Sequence, residues 1–256
     1  GVDLTYICAT RGDVGEILVD GLTTPDELGT FREGELRAAL EVIGKIDLRL
    51  LGYRDSGMVG TPPNNDPRAF VQQNTAEVAE RVAEIILEKK PDIFLFYGPD
   101  GIYGHPDHIN VNTTGLPALE LAAERGWKVP SVYYAAASRE RVLQMASRPG
   151  NPFSDMTPEQ LNQMGTPAAE ITTWIDTRAM TDRKIRAIRA HRTQVGDDGP
   201  FAGLEPDVLQ TFLSIESCRV IPTPWNPNPT DILLTLLPEA PKDHPFRGAP
   251  EIPSNA

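Results

Sequence analysis

Apolar and polar positions along the chain change rhythm several times, and each rhythm predicts an element. "VDLTYICAT" alternates and is rich in β-formers, which predicts a strand ending near Thr10. In "TFREGELRAALEVIG", Leu36, Leu40 and Ile43 fall on one helical face and Gly44 supplies the stop. "DLRLLGY" reads as a second short strand. In "NTAEVAERVAEIILEKKP", Asn74 and Glu77 match a capping-box-like start, and Val78, Val82, Ile85 and Ile86 form a buried stripe that Pro91 closes. "DIFLFY" is too short for a globular helix and apolar on both faces, as a buried parallel strand is. A helix through "GLPALELAAERG" and a strand at "VPSVYYAA" continue the alternation. Strand, helix, strand, helix predicts an α/β fold with a doubly wound parallel sheet and right-handed crossovers.

Beyond that point the pattern weakens. Arg148 to Ala169, rich in Pro, Asn, Gln and Met, reads as an excursion that walls or covers a site, and "MTDRKIRAIRAHRTQ" as a late basic helix. Residues 1–240 are expected to form one domain, and the Pro-rich residues 241–256 a loosely attached tail. With 256 residues, 40% of them apolar, one sizeable core is expected. A formal net charge of -12 argues against a nucleic-acid partner. No apolar run approaches the ~18 residues of a membrane span, and no signal peptide opens the text. Cys8 and Cys218, far apart and in no metal-clip spacing, read as buried thiols of a cytoplasmic protein.

The candidate chemistry lies in "GPDGIYGHPDHINVN", Gly98 to Asn112, directly after the apolar run. Ligands of open α/β sheets gather beyond the carboxyl ends of the strands. Two of the chain's four histidines, His105 and His108, sit here three residues apart, so both can point to one side at a helix start. Imidazole serves as a neutral metal ligand and as a proton carrier near neutrality. The plainer alternative is a pair of helix-capping or surface histidines; three nearby glycines and the preceding buried strand favour a site.

"YGHPDH" resembles the second signature of the LmbE-like, or PIG-L, superfamily of zinc-dependent de-N-acetylases. Four further segments resemble that family in order: "CATRGDVGEI", "FREGELRAAL", "GYRDSGM" and "AHRTQV". The resemblance is strongest to the branch with the mycothiol-pathway deacetylase and the mycothiol conjugate amidase. It implies a Rossmann-like fold, mostly parallel, with helices on both faces. It also implies zinc held by two histidines and an aspartate, with a bound water that attacks an acetamide carbonyl. By position, His108 matches the zinc-binding histidine. His105 matches the histidine that stabilises the tetrahedral intermediate and protonates the leaving amine, and Tyr103 the tyrosine that donates to the oxyanion. Glu16, Arg32 and Asp55 match polar groups that hold the sugar and its attached group, and Met58 an apolar wall. Asp107 reads as a helix N-terminal carboxylate, His191 as structural and His244 as uninvolved. The implied partner is a small-molecule glycoconjugate whose aglycone (inositol, malate, a lipid or a thiol conjugate) stays open.

One signature is not found. The family's "H-P-D-D-E", after its first strand, supplies a histidine and an aspartate to zinc and a second aspartate as base; this text opens near the turn before the second strand. Either the sequence begins late, or the chain is a short form that binds without catalysis. The first is preferred because His105, His108, Tyr103, Arg32 and Asp55 are retained together. As given, the chain is expected to hold zinc poorly or not at all, and to be inactive. The first strand would lie centrally, so its slot would call for a partner copy (a homo-oligomer), an added segment or another strand. The alternative function is a non-catalytic Rossmann-like sugar- or nucleotide-binding domain, although no G-x-G-x-x-G opens a helix after a strand.

Overall fold

Four strands form where the alternation predicts them, in two parallel pairs. The computed structural model describes residues 2–148, 156–196 and 204–247. β1 (Leu4–Thr10) pairs in parallel with β2 (Ile46–Tyr53) across the helix α1 (Leu28–Ile43). α2 (Thr75–Lys89) leads to β3 (Ile93–Tyr97), then a single turn α3 (Gly101–Gly104), then the long α4 (Pro106–Glu124), and β4 (Ser131–Ala135) pairs in parallel with β3. α2 starts because the Asn74 side chain accepts hydrogen bonds from the amides of Ala76 and Glu77, a cap worth about 1 kcal/mol. Its Val78, Val82 and Ile86 are buried as the stripe requires, whereas Ile85 is half-buried and packs at the margin. α2 and α4 pack together and close a core with Phe70, Phe96 and Val132.

The second half departs from the sequence reading. α5 (Arg139–Ala146), α6 (Pro158–Gln163), β5 (Thr173–Asp176), α7 (Thr181–Arg189), α8 (Pro206–Leu213), β6 (Ile215–Ile221) and α9 (Ile232–Leu236) follow in order. β6 inserts between β4 and β5 and is antiparallel to both, so this sheet runs β3-β4-β6-β5. Strand direction is decided by where the connections deliver the chain, and no local pattern in "TWID" or "IESCRVI" encodes it. The expected excursion contains α6, held by a complete capping box of Thr157 and Gln160; residues 149–155 of it lie outside the described ones. The tail is a correction. Residues 241–247 are docked rather than loose, because Phe246 is 1% exposed among Trp174, Ile215 and Met145. His244 accepts the Phe246 amide at Nδ1, so its Nε2 carries the proton and donates to Ser214 Oγ at 2.8 Å. That tautomer makes His244 a structural tie and no base for Ser214. Residues 248–256 lie outside the described ones.

The two strand pairs do not join. Among the described residues β1 pairs only with β2 on one edge, and β3 only with β4. A cavity of about 710 Å³ lies between β1 and β3, lined by both strands. Leu4, Tyr6 and Leu95 remain 49%, 46% and 51% exposed around it. An open centre is what the sequence reading expected. Unpaired strand edges are templates for association. Light scattering after size exclusion is therefore expected to show species heavier than the 28.1 kDa monomer, and Tyr6→Lys to shift them towards monomer. A monomer at every concentration would contradict this.

Candidate active site

The loops that leave β1, β2 and β3 at their carboxyl ends meet where Asp13, Asp55 and His105 stand together, and Asp107 and His108 beside them line the cavity. After β3 the chain must turn sharply back into α4. Gly101 makes this turn at φ +59, where a Cβ would stand 2.9 Å from His108 Cβ, so the position tolerates only glycine. Ile102 follows at φ 70 and ψ -51, a conformation that costs a β-branched residue on the order of 1–3 kcal/mol. Asp100 holds it by accepting the Ile102 amide at 3.3 Å, and Gly165, next to α6, donates its amide to the Ile102 carbonyl at 3.0 Å. The turn sets Tyr103 edge-on to both histidine rings, with centroids 6.1 Å from His105 and 5.0 Å from His108.

Each histidine is fixed by one ring nitrogen and presents the other. His105 is the N-cap of α4: its Nδ1 accepts the Asp107 amide at 3.1 Å. The helix-capping alternative is thus correct for one nitrogen, and it places the proton of the neutral ring on Nε2, 4.0 Å from Asp55 Oδ1. His108 donates from Nδ1 to the Gly101 carbonyl at 3.1 Å and stacks on Tyr97 with centroids 4.0 Å apart. Its Nε2 therefore carries a free lone pair, and burial lowers its pKa, which keeps the ring neutral. Asp107, 5% exposed, accepts the Ser56 amide with Oδ2 at 3.3 Å, while Oδ1 has no hydrogen-bond partner among the described residues. Burial raises the Asp107 pKa, opposed by Ser56 and His105. It is an N-terminal helix carboxylate, as expected, and a member of the site as well. Burial also raises the Tyr103 pKa, so its hydroxyl stays a donor.

The sugar-binding candidates divide. Asp55 is nearly buried; its amide donates to Asp13 Oδ2 at 3.3 Å and its Oδ1 accepts the Gly57 amide at 2.9 Å. Arg32 lines the cavity; burial lowers its pKa, opposed by the charges of Asp55, Glu35 and Asp13. Glu16 contributes its carbonyl to Arg32, and its side chain is exposed; Met58, 47% exposed, stands on the loop that Asp55 opens. His191 also lines the cavity, beyond the end of α7. Sequence reasoning missed Asp13, Ser56, Glu35 and Thr193. Each stands within a segment that resembles the family: Asp13 in "CATRGDVGEI", Glu35 in "FREGELRAAL", Ser56 in "GYRDSGM" and Thr193 in "AHRTQV".

A model of the GlcNAc-PI de-N-acetylase family, PIG-L, matches residues 1–119. A 1D-myo-inositol 2-acetamido-2-deoxy-alpha-D-glucopyranoside deacetylase of Geodermatophilus obscurus is 35% identical over 243 residues, spanning 86% of this chain and 83% of that protein. The chain belongs to the PIG-L family. A deacetylase of the same description from Acidothermus cellulolyticus is 38% identical over 230 residues, 84% of this chain and 78% of its own length. Among solved structures, the N,N'-diacetylchitobiose deacetylase of Pyrococcus horikoshii superposes with a TM-score of 0.58 at 18% identity, covering 86% of this chain and 73% of that one. At that identity the likeness shows the fold alone, and the fold is the Rossmann-like α/β architecture the resemblance implied.

Zinc, the metal this resemblance implies, meets a partial fit. His108 offers a neutral ring with a bare Nε2 and an Nδ1–H anchored on the Gly101 carbonyl, the arrangement that orients a metal-binding imidazole. Catalytic zinc needs about three protein ligands. No group of three or more His, Cys, Asp or Glu side chains among the described residues is placed to hold a metal ion. The described donors do not complete a zinc site.

Proposed function

We propose that this PIG-L chain is built as a deacetylase of N-acetylglucosamine conjugates, hydrolysing the acetamide to acetate and a free amine. The observation that carries the reading is the pairing of His105 and His108: one ring presents an N–H and the other a lone pair, side by side at a strand end. Attack of water on the acetamide carbonyl forms a C–O bond and places negative charge on the carbonyl oxygen; the C–N bond then breaks as the nitrogen takes up the proton that the attacking water gives up. His105 Nε2–H and the Tyr103 hydroxyl are the donors assigned to that oxyanion. Proton delivery to the leaving amine asks more of His105. A doubly protonated ring would turn Nδ1 from acceptor to donor and break the α4 cap, so the cap favours the hydrogen-bonding role over the acid role.

Asp55 is assigned to the sugar, and Arg32 to a polyol or anionic aglycone, since its planar fork suits several oxygens at once. His108 is the proposed zinc ligand, and because the donor set is incomplete no step is assigned to the metal. The names of the relatives make the inositol conjugate of N-acetylglucosamine the substrate to try first. With zinc in excess, acetate release from that conjugate is expected to exceed release from N-acetylglucosamine. No release from either, with the conjugate still bound, would favour the second reading that the incomplete donor set supports: a sugar-binding domain without turnover.

A further inference from the structure

Arg32 is the least free of the sugar-binding candidates. A guanidinium has five N–H donors, and three are spent inside the protein. Nη1 donates to the Gly12 carbonyl at 2.9 Å, Nη2 to the Glu16 carbonyl at 2.7 Å, and Nε to Thr193 Oγ1 at 3.2 Å. The first two staple the loop after β1 around the guanidinium. Gly12 and Gly15 admit it because a Cβ at either would stand 2.6 or 2.3 Å from Nη1.

The third bond belongs to a buried chain. Thr193, 0% exposed, donates its amide to Glu35 Oε1 and its hydroxyl to Glu35 Oε2, both at 2.7 Å. With its proton committed to Glu35, the hydroxyl can only accept from Arg32. Carboxylate, hydroxyl and guanidinium thus form one polarised line, in which each bond strengthens the next. The Thr193 carbonyl also accepts the Leu18 amide at 2.9 Å, which ties the far end of the same loop. One residue from the segment after α7 therefore holds both Arg32, on α1, and the loop that Arg32 staples.

We propose that Glu35 and Thr193 are positioning residues that hold Arg32 and the Gly12–Leu18 loop in the geometry that reads the aglycone. The proposal rests on the deacetylase reading only for what Arg32 contacts. Val at 193 keeps the shape of Thr and removes the hydroxyl; Ser keeps the hydroxyl. T193V is expected to weaken calorimetric binding of the inositol conjugate of N-acetylglucosamine by about 10-fold or more, a bond to a charged group being lost. Binding of aglycone-free N-acetylglucosamine should hold within about two-fold of the parent, the precision of such a comparison. T193S should restore the parent affinity, and E35Q should weaken the conjugate as T193V does. Under turnover, KM should rise by more than kcat falls. Hydrogen exchange read on the unliganded chain keeps the inference independent of substrate. Amides of residues 12–18 should exchange faster in T193V and E35Q than in the parent and T193S. Unchanged exchange there, or equal loss of both ligands, would overturn the positioning role. A parent that binds neither ligand while the exchange pattern holds would overturn the deacetylase reading and leave the brace standing.

Discussion

Zinc titrated into this 256-residue chain is expected to bind weakly, with no one-to-one end point. Sites with a full set of protein ligands bind zinc with about 10–16 kcal/mol, or roughly tens of nanomolar down to picomolar. The described residues offer His108 Nε2 as one well-prepared ligand and no group of three donors. His105 is near, its ring centroid 5.2 Å from that of His108, but its Nδ1 is occupied by the α4 cap and its Nε2 carries the proton. Recruiting it would require the other tautomer and the loss of the cap. Dissociation constants in the high micromolar range or weaker are therefore expected, about a thousand-fold or more above a complete site. His108→Ala should remove what binding remains. Stoichiometric nanomolar binding by a monomer would show a ligand set built from other parts of these residues.

In a chain that also carries an H-P-D-D-E segment, His105→Ala is expected to lower turnover of the inositol conjugate by about 10²–10⁴-fold, the range for a lost oxyanion donor or acid–base group. Its effect on metal content should be small. His108→Ala should do the reverse, lowering metal content first and turnover as a consequence. The division follows from the two tautomers, since an imidazole anchored through an accepting Nδ1 presents a proton and one anchored through a donating Nδ1 presents a lone pair. His105→Ala also removes the α4 N-cap, at about 1 kcal/mol, so Tm should fall modestly. His105→Asn, which can keep a cap, separates the two effects: restored stability with turnover still low confirms the chemical role. Equal zinc content and equal turnover loss in the His105 and His108 variants would end the assignment.

Much of this was legible in the residues. Strand–helix alternation identified the four strands that form the two parallel pairs, because burial on one face or two leaves a period that survives in the text. The position of His105 and His108 after "DIFLFY" pointed to the candidate site, because an open parallel sheet gathers ligands at the carboxyl ends of its strands. Other features have no local record. The antiparallel insertion of β6 beside β4 depends on where a long connection returns, and "IESCRVI" reads the same in either direction. The docking of Phe246 depends on a pocket made by β5, β6 and α5, distant in sequence. Thr193 and Glu35 lie 158 residues apart, and their hydrogen bonds exist only because α7 packs on α1.

By itself the sequence determined which residue types stand at the strand ends and which helices carry them, since period and capping are local properties. Tertiary structure decided what those residues present. The proton on His105 Nε2, the lone pair on His108 Nε2, the Asp107 oxygen without a hydrogen-bond partner among the described residues and the three spent donors of Arg32 are each set by a backbone or side-chain neighbour that folding supplies. Hydrogen bonding acts over about 3 Å of space and takes no account of distance along the chain.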